Sequence, residues 1–335
     1  MISRTRMVKI MVLMDNQIFL ESGHVRDDIP HVREVIYVGR NGQKVERIHI
    51  QADDTTTSFI YKPLTNYPNK GKEVWLQENV HVRIPEVHIP KILYYSQELE
   101  PEKEWMVFED LGELEHNFNS DMMLKTAEFI PYWHLLPTSL LPEEFDGHSP
   151  RVKEIQSFIL SKDVQMRQIC QRLGFLDDDI AYFDQNILRY DHLDLETVVS
   201  HGDLYPLNIG EVNHTIFIFD WEYVHTNSVF WDLYSLMDIT SPQYRRLVIG
   251  QDSRLAILTK YISVRESLQS PTHGSFIAEY HIFSALYSMW LLLLIEEDIA
   301  QEKFEKSALL RQYNETSEIL KIVFDYLKYT NGQFF

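Results

Sequence analysis

The stretch Ser200-His201-Gly202-Asp203-Leu204-Tyr205-Pro206-Leu207-Asn208 decides how this chain is read. Just before it, Val198-Val199 is a short apolar strand. Just after it, residues 208–212 and 215–220 read as a tight hairpin turning at Asn213-His214, which delivers Asp220-Trp221-Glu222. A loop carboxylate, a carboxamide five residues on and a second carboxylate at the next strand end form a donor set for phosphoryl transfer. That chemistry needs a carboxylate to orient the attacking hydroxyl and take its proton, and oxygen ligands for the metal on the phosphates. Magnesium favours one or two carboxylates completed by phosphate oxygens and water. Each residue alone has a plainer reading, as a turn former, a backbone partner or a solvated strand end. The joint arrangement is what carries information.

The same residues resemble the aminoglycoside phosphotransferase and choline kinase superfamily. The resemblance rests on His201-Gly202-Asp203 with Asn208, on Asp220, and on Phe230-Trp231-Asp232-Leu233. It spans roughly residues 30 to 300 and is densest in the middle. It implies a two-lobed protein-kinase-like α+β fold, with a β-rich N-terminal lobe and a mainly helical C-terminal lobe. It implies Asp203 as catalytic base, Asn208 and Asp220 as magnesium ligands, His201 as a brace for the loop and Asp232 as a structural residue. ATP or GTP would be the phosphate donor.

That fold also needs a strand lysine for the nucleotide phosphates, paired with a glutamate on the following helix. Lys62 in Phe59-Ile60-Tyr61-Lys62-Pro63 fits the strand. Glu73 opens the next helical segment and is the chosen partner, with Glu78 as competitor. The plain alternative for Lys62 is an exposed strand lysine. Trp105 to Gly112 resembles the hinge between lobes, which places Glu109 in the nucleotide-binding set; capping or solvation is its plain role. Gly39-Arg40-Asn41-Gly42 falls where a phosphate-covering loop belongs, with Gly42 assigned to the nucleotide. An Asn-Gly hairpin turn explains it equally well. No Walker motif is present.

Outward from these motifs, the chain divides near residue 115. Before it, 35–38, 45–50, 58–62, 89–95 and 104–108 read as strands, with a helix at 72–79 and a turn at Asp53-Asp54. After it, 121–135, 150–173 and 177–190 read as helices, and helix resumes from Asp232 to the end. The expected domains are a nucleotide-binding lobe, 1–115, and a helical lobe with catalytic loop and acceptor site, 116–335. The apolar run 283–295 is shorter than the ~20 residues that span a bilayer, so it is expected to be a buried helix.

The chain has 335 residues and a net charge of −19, of which −5 falls in residues 1–115 and −14 in the rest. Such acidity disfavours nucleic acid and anionic membranes as partners. Cys170 is the only cysteine, so no intramolecular disulfide forms, which fits a reducing cytoplasm. The N-terminal run Ile10–Met14, behind Arg4, Arg6 and Lys9, is too short for a signal peptide.

The histidines form no zinc motif, and His134 is expected to be structural. Ser139 and Ser149 lack a nucleophile-elbow context. Asp220-Trp221-Glu222 lacks a glycine, and only eleven residues separate Asp220 from Asp232, which disfavours a regulated protein kinase.

The expected activity is therefore a small-molecule kinase acting on a hydroxyl. The alternative is an inactive kinase-fold scaffold. Tyr280, Tyr287 and Trp290 with Glu296, Glu297 and Asp298 suggest a pocket for an amine-bearing acceptor, an aminoglycoside-type antibiotic or an amino alcohol. The plainer reading of that stripe is helix core.

Overall fold

A computed structural model describes residues 18–39, 42–52, 55–64, 66–96, 103–116, 119–145, 150–193 and 196–330. Arg40 and Asn41 of the expected phosphate loop, the Asp53-Asp54 turn, Ser149 and the N-terminal run with Arg4, Arg6 and Lys9 lie outside these residues. The chain forms two compact units. One comprises the chain up to Leu114 with Phe217–Glu222; the other comprises Glu115–Ile216 and Tyr223 onward.

The first unit is built on an antiparallel five-stranded sheet in the order β1-β2-β3-β5-β4. Its strands are β1 (His31–Val38), β2 (Lys44–Ala52), β3 (Thr55–Pro63), β4 (Ile92–Tyr95) and β5 (Trp105–Glu109). Period-two alternation sets one face: Ile48 and Ile50, Phe59, and Trp105 and Val107 join Ile18 and Val25 in one core cluster, with Tyr61 packed against it. Lys62 therefore points to the other face. Helix α1 (Lys72–Asn79) is held to β4 by Gln77, which donates to the Ile92 carbonyl and accepts its N–H. Pro63 ends β3, as its missing N–H predicts.

The second unit is mainly helical. Residues 121–135 form two helices, α2 (Ser120–Ala127) and α3 (Ile130–His134), because Pro131 cannot continue the hydrogen-bond ladder. The stretch 150–173 is likewise two helices, α4 (Val152–Ser161) and α5 (Asp163–Arg172), parted at Lys162, whose φ and ψ of −118° and 33° leave the helical region. Helix α6 (Asp177–Tyr182) widens into π-helical geometry over Phe183–Leu188.

Then come β6 (Thr197–Ser200), the hairpin strands β7 (Ile209–Val212) and β8 (Thr215–Ile218), and β9 (His225–Ser228), which pairs antiparallel with β6. The hairpin turns at Asn213 and His214, both left-handed with φ of 48° and 65°. Helices α7 (Trp231–Met237), α8 (Gln251–Ser267), α9 (Phe276–Ala300) and α10 (Lys306–Thr330) complete the unit. Helix α9 contains the run 283–295 and is apolar nearly all round, so it is the central, buried helix. No helix among the described residues is long and apolar enough to cross a membrane.

Candidate active site

The loop after β6 is held from below by α7. Asp232, wholly buried, receives five hydrogen bonds. Its Oδ1 accepts from Ser200 Oγ (2.7 Å) and Gly202 N (3.1 Å); its Oδ2 accepts from His201 N (2.8 Å), Trp133 Nε1 (2.9 Å) and His134 Nε2 (3.1 Å). Burial alone would raise its pKa. The hydrogen bond from His134, the charges that His134 and His201 carry when protonated, and the Trp133 hydrogen bond outweigh that and hold it below the ordinary carboxylate range. Trp231 adds a bond from Nε1 to the Gly202 carbonyl (2.8 Å). Gly202 has φ +86°, and a Cβ there would sit 2.1 Å from the Tyr223 carbonyl oxygen, so only glycine fits. His225, beside it, donates from Nδ1 to that carbonyl (2.7 Å) and accepts at Nε2 from Asn227 (2.9 Å).

This clamp presents Asp203. Its backbone N–H lies 3.3 Å from His201 Nδ1. Asn208 Nδ2 donates to both the Asp203 carbonyl (2.8 Å) and its carboxylate Oδ2 (3.0 Å). Two acceptors on one side fix the amide orientation, with Nδ2 toward Asp203.

In the first unit, Lys62 Nζ donates to Glu73 Oε2 (2.9 Å) and Asp220 Oδ1 (2.6 Å). Desolvation pulls the ammonium down, but Asp220 and Glu73 win and hold it well above its ordinary value. Glu78 takes the Tyr95 hydroxyl instead (3.2 Å). Glu73, Asp220 and Glu222 each bring a carboxylate oxygen within 4.8 Å of the other two. Burial, then the neighbouring Asp220, push Glu222 up to about 7 against the pull of Lys62. Its Oε2 is buried with no hydrogen-bond partner among the described residues. Asp220 itself is left-handed, with φ 60°. Three crowded carboxylates share one lysine, so the group has the donor chemistry of a divalent-cation site.

The fold matches solved structures over nearly its whole length. A protein assigned as an aminoglycoside phosphotransferase from Ralstonia eutropha JMP134 matches at 12% identity and TM-score 0.53, over 96% of this chain and 98% of that one. Choline kinase from Cryptosporidium parvum Iowa II matches at 12% identity and TM-score 0.51, over 97% and 96%. Spectinomycin phosphotransferase, solved with AMP, matches at 11% identity and TM-score 0.50, over 94% and 98%. The chain has the aminoglycoside phosphotransferase and choline kinase fold. No family model matches its sequence, and no curated protein does.

Within this phosphotransferase fold, the remaining expected residues are placed as follows. Glu109 ends β5, with its N–H on the Lys91 carbonyl (2.9 Å) and its Oε1 on the Lys91 N–H (3.0 Å). Next to it, Arg47 bridges Asp110 (2.8 Å) and the Gly112 carbonyl (3.1 Å). Gly42, with φ +81°, closes the β1–β2 hairpin through its N–H to the Gly39 carbonyl (2.9 Å).

The structure does not gather the acceptor residues expected on α9 around one pocket. Tyr280 and Tyr287 are fully buried core, with hydroxyls on Asp238 (2.6 Å) and the Pro150 carbonyl (3.1 Å). Glu296 pairs with Arg172, Glu297 with Lys162, and Asp298 with Lys303. The reason is helical spacing: a stripe on a central helix faces core, and the carboxylates at its end meet Arg172 at the end of α5, Lys162 at the break before α5 and Lys303 in the loop after α9.

Sequence reading gave Glu222 no role. Its signal is the Asp-x-Glu spacing at a strand end, which puts both carboxylates near one lysine. Ser200, Trp133 and His134 carry no local signal for holding the loop.

Proposed function

We propose that the chain is a phosphotransferase that moves the γ-phosphate of a nucleoside triphosphate to a hydroxyl of a small molecule. The observation that carries this reading is the Lys62 ammonium held between Glu73 and Asp220 with Glu222 alongside. A lysine so placed is charged and ready to exchange a carboxylate for a phosphate oxygen. The enzymes named among the structural neighbours are kinases and phosphotransferases, which supports the same reading.

In this reading Lys62 grips the donor phosphates and Glu73 keeps it in place. Asp220 and Asn208 Oδ1 hold magnesium, with Glu222 as a further carboxylate ligand. Bound magnesium would neutralise charge on the phosphates. Asp203 orients the acceptor hydroxyl and takes its proton. Asn208 and the Asp232 clamp fix where that carboxylate points. ATP is the proposed donor, with GTP as its competitor, and the backbone around Glu109 to Gly112 is the proposed base-reading segment. Gly42 and its hairpin would cover the phosphates.

The test is ADP release from ATP with magnesium across a panel of small alcohols, amino alcohols, sugars and aminoglycosides. Asp203→Asn should cut turnover by roughly 10²–10⁴ while nucleotide binding persists. An inactive scaffold would bind nucleotide and transfer to nothing, and Asp203→Asn would change nothing.

A further inference from the structure

A buried chain of hydrogen bonds leads away from the loop clamp, and its one obligate donor fixes its direction. His134, at the end of α3, faces Asp232 with Nε2 and the Tyr261 hydroxyl of α8 with Nδ1 (3.0 Å). Arg265, one turn along α8, places Nη1 3.3 Å from the same hydroxyl and 2.7 Å from Glu196 Oε1. Its Nε and Nη2 donate to the Ser270 carbonyl (3.1 Å) and hydroxyl (2.9 Å). Arg265 is 4% exposed and Tyr261 0%.

A guanidinium donates and never accepts. The Tyr261 oxygen therefore accepts from Arg265, which leaves its proton for His134 Nδ1, and the Asp232 carboxylate, which can only accept, faces the other ring nitrogen. With Nδ1 accepting, the ring proton sits on Nε2 and is donated to Asp232. Asp232 stays a pure acceptor and takes the N–H groups of His201 and Gly202 on its two oxygens. The chain also closes through β6. Glu196, just before the strand, is gripped by Arg265, while Ser200, its last residue, donates to Asp232. One network thus holds both ends of the strand that delivers Asp203.

We propose that Arg265 is a positioning residue for phosphoryl transfer: through Tyr261 and His134 it sets the hydrogen-bond direction that lets Asp232 hold the loop bearing Asp203. This rests on the reading of Asp203 as the base. Arg265 is remote in sequence from every motif, and its guanidinium stands three hydrogen bonds from the Asp232 carboxylate.

The test uses the full chain with MgATP turnover to water, alongside the ¹H–¹⁵N signature that reports which His134 nitrogen carries the proton. Wild type should show the proton on Nε2 and a bare Nδ1. Arg265→Met should lower kcat about tenfold or more with KM for MgATP changing less than about threefold, because misplacement of a reacting group costs rate rather than ground-state binding. It should also put proton density on Nδ1, and Arg265→Lys should recover part of both. If Arg265→Met does not fold, Tyr261→Phe breaks the same chain at nearly constant volume and should give the same pair of effects. A folded Arg265→Met or Tyr261→Phe with kcat within twofold of wild type overturns the proposal, as does a wild-type His134 protonated on Nδ1. If wild type transfers phosphate neither to water nor to any acceptor of the panel, the reading of Asp203 fails, and the His134 signature still decides the network.

Discussion

Asp232→Asn replaces one carboxylate oxygen with an amide nitrogen inside a site built only of donors. The best arrangement keeps the amide oxygen at the Oδ2 side, where His201 N, Trp133 Nε1 and His134 Nε2 converge. The amide nitrogen then faces Ser200 Oγ, which can turn to accept, and Gly202 N–H, which cannot. Bonds to a charged acceptor are worth about 1.5–3 kcal/mol and neutral ones about 0.5–1.5, so three demoted bonds lose about 3 kcal/mol together. The opposed Gly202 N–H keeps its bond to Ser200 Oγ (3.1 Å), so it adds about 1 kcal/mol. Relief of the buried charge offsets part of this, leaving a net loss of about 2–4 kcal/mol. Thermal and denaturant unfolding at pH 7 would read it as a Tm lower by roughly 5–15 °C. The folded-state pKa of Asp232 is lowered, so its stabilisation is present above the unfolded carboxylate value of about 4 and fades as pH falls below it. The gap between wild type and Asn should therefore narrow in acid. An Asn variant within about 1 kcal/mol of wild type at pH 7, or a gap that widens in acid, would refute the assignment of Asp232 as the loop's anionic anchor.

Gly202→Ala should fold less stably and lose most turnover, because its Cβ meets the Tyr223 carbonyl at 2.1 Å at a φ of +86°; unchanged kinetics would show that the loop has room to shift. Glu222→Gln should raise the melting temperature without metal, by removing one of three crowded carboxylates, and reduce the stabilisation that magnesium with nucleotide confers; a lower metal-free Tm would count against crowding. Burial pushes His281 down to about 3 although its Nδ1 bonds the Ile277 carbonyl, so stability present above pH 6.5 is lost progressively as pH falls toward 3, by about 2 kcal/mol at pH 5. His281→Gln should flatten that slope in pH-resolved denaturation, and an unchanged slope would assign the acid loss to other groups.

The parts of the site that were legible in the sequence are those where local spacing and chemistry coincide. Alternation along β3 places Lys62 opposite Phe59 and Tyr61, and the short helix over 72–79 puts Glu73 in its first turn, within reach of Lys62. Asp203 and Asn208 fall in one loop, so their separation in sequence is close to their separation in space. What stayed hidden needed long-range pairing. Nothing near Glu296 or Glu297 in sequence announces Arg172 or Lys162. The stripe of Tyr280 and Tyr287 looks alike whether it lines a pocket or a core, and only burial on all sides of α9 separates the two. The helix breaks at Pro131 and Lys162 differ in the same way: the first is written in the residue, while the second has no local chemical cause.

The two ends of the proposed chemistry are built on opposite electrostatic terms. Around Asp232, every donor meets an acceptor and one buried charge is matched by five hydrogen bonds, so the loop that carries Asp203 is held rigidly. Around Lys62 the terms do not balance. Three carboxylates crowd one ammonium, Glu222 Oε2 has no partner among the described residues, and Asp220 sits in a left-handed conformation that costs a non-glycine residue about 1–3 kcal/mol. A sequence under selection for stability alone would replace Glu222 or Asp220 with a neutral residue and gain from it. The presence of both fits a site that receives a cation, since the same repulsion that destabilises the metal-free site strengthens binding of a divalent ion. Strain at the metal end and satisfaction at the base end are what a phosphotransferase requires: a ligand site that is incomplete until the nucleotide and its metal bind, and a base whose position does not depend on them.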